Sequence, residues 1–193
     1  MDTLEMPIAD DLINYEAMVD LETLATTPNA HILTIGLVAM HDMDNTLYIH
    51  VKRDAPWRQD IKPRYVDPDT EAWWEKQSPE AKADAFDQTN AVELDVALDQ
   101  ITEWFQAGNM KKIWSHGATF DVVMLDDAYR QHGKLPPWRF WDVRDTRTVI
   151  DIAQRATGKK LEPKREGTHH NALDDAKHQA VWINGILSLF DQG

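Results

Sequence analysis

The chain has no cysteine. Disulfides and thiolate–zinc sites are therefore excluded, and the composition fits a reducing cytoplasm. A glycine-rich phosphate loop is also missing. Neither GxGxxG nor GxxxxGK followed by Ser or Thr occurs, which removes dinucleotide-binding and P-loop readings. No apolar run is long enough to span a bilayer, and Met1 to Asp11 is acidic without the apolar stretch of a signal peptide. Positive charge is scarce: 20 Lys and Arg stand against 33 Asp and Glu, a net charge of −13. That balance opposes a polyanionic partner, because phosphate binding is driven by Lys and Arg. Two features weaken the objection. Carboxylates that hold divalent cations count as negative where the loaded site is nearly neutral. Five cations, Arg155, Lys159, Lys160, Lys164 and Arg165, also fall in one short stretch.

What is present is an ordinary globular composition in 193 residues, enough for one domain spanning 1–193. There is no internal repeat and no low-complexity linker. Tyr15 to Asp20, His31 to Met40 and Thr46 to Val51 read as a strand meander, with Asp42 to Asn45 as its second turn. Asp69 to Gln77 reads as helix, and Pro79 opens another turn of helix. In Glu93 to Gln106, Leu94, Leu98, Ile101 and Phe105 recur at helical spacing, with Gly108 as the stop. Lys112 to Ser115 is a short strand. A helix capped by Thr119 follows, running to about His132 and stopped by Gly133. Arg139 to Val143 reads as the last strand, followed by a helix capped by Asp145. The basic stretch is a loop, and Asn171 to Phe190 is the final helix. Its buried stripe is Ala172, Ala176, Ala180, Ile183, Leu187 and Phe190. The order β-β-β-α-β-α-β-α predicts an α/β fold with a mixed sheet covered by helices.

Four carboxylates and a histidine carry the chemistry. Asp20 and Glu22 end the first strand and, spaced by two, share one face of it. Side by side they repel unless a cation sits between them, and oxygen ligands of this kind suit Mg²⁺ or Mn²⁺. In so acidic a chain the pair alone is weak evidence. Asp121 opens a helix just after a strand, where a carboxylate also serves the helix dipole. In the final helix, about 100° per residue turns Asp174 away from Ala172, towards solvent. Asp175 falls at the edge of the buried stripe and is the better ligand. His170 lies just before that helix; His169 reads as a solvated neighbour. Trp73 and Trp74 are adjacent and cannot face the same core. One is a candidate stacking surface, and the competing arrangement places one in the core and the other beneath a loop.

These segments resemble the three exonuclease motifs of the DnaQ-like superfamily, in order and across nearly the whole chain. Asp20-Leu21-Glu22-Thr23 is similar to the first motif, D-x-E-T. His116 to Asp121 resembles the second, and His170 to Ala176 resembles the third, H-x-A-x-x-D-A. The histidine five before the aspartate is the mark of the DEDDh subgroup. Asp20-Leu21-Glu22-Thr23-Leu24, Trp73-Trp74-Glu75-Lys76-Gln77-Ser78 and Arg144-Asp145-Thr146-Arg147-Thr148 look like the branch of phage DexA-type and bacterial exoribonuclease-like enzymes.

The resemblance implies an RNase H-like fold, a mixed five-stranded sheet flanked by helices. It implies a 3′→5′ exonuclease that releases nucleoside 5′-monophosphates from DNA or RNA. Two Mg²⁺ or Mn²⁺ would be held by Asp20, Glu22, Asp121 and Asp175, with His170 as general base. Thr23 and Leu24 would grip the terminal nucleotide. Trp74, Lys160, Lys164 and Arg165 are further substrate-binding candidates. The setting implied is the cytoplasm of a bacterial or phage-infected cell, with no membrane partner and with a homodimer as an open alternative. Gly117 departs from the second motif, which usually reads H-N. The stretch before the third motif is short and charged where many relatives have a helix. A non-catalytic nucleic-acid-binding module and an acidic phage interaction protein are the competing readings.

Overall fold

The structure, a computed structural model, describes residues 15–53 and 62–190; the acidic segment Met1 to Asp11 lies outside them. Three early apolar segments become β1 (Glu16–Thr23), β2 (Ile32–Ala39) and β3 (Asp42–His50), an antiparallel meander. β4 (Lys112–Ser115) pairs in parallel with β1, and β5 (Val143–Asp145) in parallel with β4. The sheet order is β3-β2-β1-β4-β5, so β1 is central. The helices are α1 (Pro68–Trp74), α2 (Pro79–Ala85), α3 (Leu94–Ala107), α4 (Asp121–Gln131), α5 (Thr146–Thr157) and α6 (Ala172–Phe190). The mixed five-stranded sheet expected from the sequence is present.

β1 divides its side chains between two cores. Ala17, Val19 and Leu21 pack with Leu98, Ile101 and Phe105 of α3 and Leu125 and Tyr129 of α4. Met18 packs with Ile150 of α5 and Ala176, Ala180 and Ile183 of α6. The period of two puts Asp20 and Glu22 on the Met18 face, beneath α6. Opposite Asp20 on β2 stands Gly36. A Cβ there would lie 2.3 Å from backbone atoms of Ala172. Its absence lets the first turn of α6 rest on the sheet, which brings Asp175 beside β1.

Several local expectations need correction. Asp42 to Asn45 is not a turn: the chain reverses at Met40 and His41, Asp42 pairs with Ala39, and the ladder continues through these polar residues. Tight two-residue hairpin loops leave no room for a longer turn. Arg139 to Val143 is not a strand. Phe140–Asp142 forms a 3₁₀ turn, and the edge strand starts at Val143. Thr119 does not cap α4. Phe120 precedes the helix, and its N–H donates to the Gly117 carbonyl at 2.7 Å, closing a tight turn out of β4. After α3, Gly108 keeps a negative φ and Asn109 takes the left-handed seat at φ 49°, which asparagine tolerates. In α6, Ile186 is buried and Phe190 is exposed, so the buried stripe ends before the helix does. No described helix is long and apolar enough to cross a membrane.

Candidate active site

The ends of β1 and the first turns of α4 and α6 meet at a cleft of about 750 Å³. Asp20, Glu22, Asp121, His170 and Asp175 all line it. Glu22 and Asp121 are 7% and 3% exposed, so neither carboxylate is hydrated like a surface group. Asp121 accepts from the Leu21 N–H at 3.2 Å, which ties α4 to β1 between the two motif-one acids. Asp20 accepts from Gln179 Nε2 at 2.7 Å. Asp175 accepts from the His170 N–H at 3.0 Å through Oδ2, and Arg165 Nη2 contacts its Oδ1.

Burial, then the charges of Asp121 and Glu22, push the Asp20 carboxyl well above the usual carboxylate range. Burial, then Asp121 and Asp84, push Glu22 up to about 8. Burial pushes Asp121 up to about 7. Burial and mutual repulsion favour the protonated forms of these groups, a cost that a bound dication would offset. One oxygen each of Glu22 and Asp175 and one ring nitrogen of His170 lie within 4.8 Å of one another. Hard oxygen donors at this density fit a divalent cation such as Mg²⁺ or Mn²⁺.

His170 has φ 61°, a left-handed backbone that lets the chain turn abruptly into α6. Its Nδ1 is 4.0 Å from Glu22 Oε1, and its ring meets Trp73 edge-on at 4.9 Å. Burial, His169 and Arg165 hold its pKa below the ordinary histidine value, so the imidazole is neutral at pH 7. Asp174 is not simply solvated. Its Oδ2 accepts from the Thr168 N–H at 2.7 Å, and its N–H donates to Asn171 Oδ1 at 3.0 Å, closing the start of α6.

The substrate-binding candidates separate. Thr23 lines the cleft, but Leu24 does not; Leu24 is 1% exposed and packs with Trp74 in a small core. Trp74 is likewise no stacking surface. It is buried, and its Nε1 donates to the Thr23 carbonyl at 2.9 Å. Trp73, 41% exposed, lines the cleft in its place. Truncating Trp74 to Ala should cost about 3–5 kcal/mol of stability in a denaturant titration, as for a large buried aromatic. Lys160 and Lys164 do not line the cleft. Lys160 pairs with Glu162 at 2.7 Å and Arg155 with Asp151 at 3.0 Å, so only Arg165 of the five cations reaches the acids.

Sequence reasoning missed two supports. Gln179 lies four residues after Asp175 on α6, the helical spacing that shares a face, and this is a usable signal. Asp84 had none. It accepts from Asn171 Nδ2 at 2.8 Å and from the Tyr48 hydroxyl, joining α2, β3 and the start of α6 behind Glu22.

Acids gathered at the end of the central strand of this mixed sheet make a site suited to divalent cations. The chain matches the family described as 3′-5′ exoribonuclease Rv2179c-like domain over residues 15–187, and it belongs to that family. It is similar to the exodeoxyribonuclease of Enterobacteria phage T4, 25% identical over a 202-residue alignment covering 90% of this chain and 89% of the relative. The fold resembles the nuclease domain of 3′hExo, a DEDDh family member bound to rAMP. There the TM-score is 0.55 and identity 16%, over 91% of this chain and 92% of that one. Exonuclease X in complex with 5′ overhanging duplex DNA aligns with a TM-score of 0.54 at 16% identity, over 90% of this chain and 92% of that one. The chain is thus a 3′-5′ exonuclease domain by family, and its fold is that of a DEDDh nuclease domain. Membership favours the exonuclease reading over a non-catalytic module or an acidic interaction protein.

Proposed function

We propose that this cleft binds the 3′ end of DNA or RNA and hydrolyses its last phosphodiester, with two Mg²⁺ or Mn²⁺ held by Asp20, Glu22, Asp121 and Asp175. The observation that carries the reading is the convergence of Asp20 and Glu22 of β1 with Asp121 of α4, all three held above the usual carboxylate range, on the cleft that Asp175 of α6 also lines. When bound, the ions polarise the scissile phosphate and offset charge on the departing 3′-oxygen. The protein does the rest. His170, neutral and next to Glu22, takes the proton of the attacking water. Thr23, Thr70 and Trp73 form the wall that receives the terminal nucleoside. Gln179 and Asp84 keep Asp20 and the start of α6 in place. The family description speaks for RNA and the phage relative for DNA, so the reading includes both, in a bacterial or phage-infected cell.

The test follows 5′-labelled single-stranded DNA, duplex DNA and RNA with Mg²⁺ or Mn²⁺. Stepwise shortening from the 3′ end, abolished by EDTA, is expected; internal cuts or metal-independent hydrolysis would remove the reading. Trp73→Ala should lower kcat/KM roughly tenfold, the scale of one base–aromatic stack, with little loss of stability. Arg165 also makes a separate expectation. Its guanidinium must leave Asp175 Oδ1 before that oxygen can hold a divalent ion. Arg165→Gln should therefore tighten Mn²⁺ binding in calorimetry by roughly fivefold, equivalent to about 1 kcal/mol. Weaker binding would make Arg165 a support of the site instead of a competitor.

A further inference from the structure

The cleft has a wall that the reading above leaves without a role, formed by His116, Arg147, His178 and Trp182. We propose that Arg147, with the Trp182 and His116 rings beside it, binds the phosphodiester and base on the 5′ side of the scissile bond. This deepens the exonuclease reading and rests on it.

Gly117 stands where the sequence departs from the usual second motif. Its φ is 112°, a backbone that L side chains rarely adopt. A Cβ there would lie 2.7 Å from Arg147 Nη1, 2.8 Å from Cζ and 3.0 Å from Nη2. Three guanidinium atoms at nearly equal distance mean that the group lays its flat face on Gly117. All five N–H donors of a guanidinium lie in its plane, so this packing leaves the donor edge open. The missing side chain at 117 is thus a seat for a cation.

The seat is fixed by one carboxylate. Asp145 Oδ2 accepts from the Ala118 N–H at 2.9 Å and its Oδ1 accepts from the Arg147 N–H at 2.9 Å. That ties the turn bearing Gly117 to the helix bearing Arg147, and it engages both oxygens of Asp145 with backbone. Among the described residues no ion pair joins the Arg147 guanidinium to a carboxylate. In a chain of net charge −13, an exposed cation at the mouth of an acidic cleft, with its fork free, is the group a phosphodiester would meet. Two non-bridging oxygens match that fork.

Beside it, His116 is anchored through Nδ1 to Thr146 Oγ1 at 2.8 Å and stacks on Trp182, with centroids 6.2 Å apart and planes at 22°. Burial and Arg147 hold His116 below the ordinary histidine range, so at neutral pH the pair is an uncharged aromatic surface. Trp182 Nε1 and Gln179 Oε1, on the cleft-lining face of α6, are buried without hydrogen-bond partners among the described residues. An aromatic surface next to an open guanidinium is the pairing that single-stranded nucleic acid uses, base on ring and backbone on cation.

The test compares Arg147→Gln with the wild-type chain on a thymidine octamer and on the 4-nitrophenyl ester of thymidine 5′-monophosphate. The ester has the terminal nucleotide and nothing on its 5′ side but the leaving group. Melting curves check that the exposed substitution leaves the fold intact. The loss of kcat/KM on the octamer should be about 10- to 100-fold, mostly in KM, and at least tenfold larger than the loss on the ester. Octamer affinity measured by fluorescence anisotropy with Ca²⁺ should lose about 0.7 from the slope of its logarithm against log salt. Equal losses on both substrates, or an unchanged slope, would overturn the proposal. The anisotropy does not depend on turnover. A wild-type chain that binds the octamer through Arg147 yet cleaves nothing would sink the catalytic reading and leave this wall standing.

Discussion

Asp20→Asn, Glu22→Gln, Asp121→Asn and Asp175→Asn should each lower hydrolysis by several orders of magnitude while the fold survives. Each amide keeps the size of the acid and an oxygen acceptor. In Asp121→Asn the amide oxygen can still accept from the Leu21 N–H, and in Asp175→Asn it can still accept from the His170 N–H, so the contacts that align α4 and α6 persist. What is lost is a negative charge where a dication must be held. The same loss should stabilise the protein in EDTA, most clearly for Glu22→Gln. The Glu22 carboxyl is raised from an ordinary 4.5 to about 8, chiefly by burial. The folded chain therefore binds more protons than the unfolded one between those two values. Stability falls as pH rises through that window, and the full cost is present above about pH 8. Melting curves in EDTA should drop from pH 5 to pH 8.5 for the wild-type chain and drop less steeply for Glu22→Gln, in which burial still holds Asp20 and Asp121 above the usual carboxylate range. Added Mn²⁺ should restore the wild-type curve and not the variant's. Asp174→Asn is the control. Its Oδ2 serves the Thr168 N–H, which an amide oxygen can also serve, so turnover should stay near normal. Loss of activity there equal to that in Asp175→Asn would mean that the choice between the two aspartates was misjudged.

That choice came from the helical period alone, and the period is a local property. So are the alternation that puts Asp20 and Glu22 on one face of β1 and the proline that opens α2. These features were legible because they depend on neighbours a few residues away. The misses are of another kind. Gln179 meets Asp20 across 159 positions and Asn171 meets Asp84 across 87; the helical spacing from Asp175 points Gln179 towards the site, but nothing in the local sequence of Asp84 announces its partner. Trp73 and Trp74 show the limit of periodicity. Adjacent residues on a helix point about 100° apart, so one faces the core and the other does not. Which is which depends on the Thr23 carbonyl that receives the Trp74 indole, a contact 51 residues away. The basic stretch misled in a related way. A run of cations shows where charge is, not what it pairs with, and Arg155 and Lys160 are satisfied by acids within their own turns. The two hairpin and strand errors arose where polar or aromatic composition outweighed the ladder: Asp42 to Asn45 are strand in spite of their polarity, and Phe140 and Trp141 are exposed in spite of their β propensity.

His170→Ala should lower the rate by about 10²–10⁴, the range of a lost general base, and flatten the acid limb of the pH profile. The limb exists because His170 must be neutral to accept a proton. Burial, His169 and Arg165 hold its pKa below the ordinary value, so the rate should reach its plateau at a lower pH than a free imidazole would allow. Alanine at this position has a second consequence, since φ is 61° and a left-handed backbone is unfavourable for most side chains. His170→Asn separates the two effects. Asparagine accepts the left-handed backbone and has no group that titrates near neutrality. If the imidazole is the base, both variants should lose the same activity and the same pH limb, while only the alanine variant melts lower. The competing role is metal ligation, because a His170 ring nitrogen lies within 4.8 Å of oxygens of Glu22 and Asp175. Calorimetry with Mn²⁺ decides between them. A base leaves the affinity largely unchanged in His170→Asn. A ligand loses it as severely as Asp20→Asn does, and in that case the water's proton must go elsewhere.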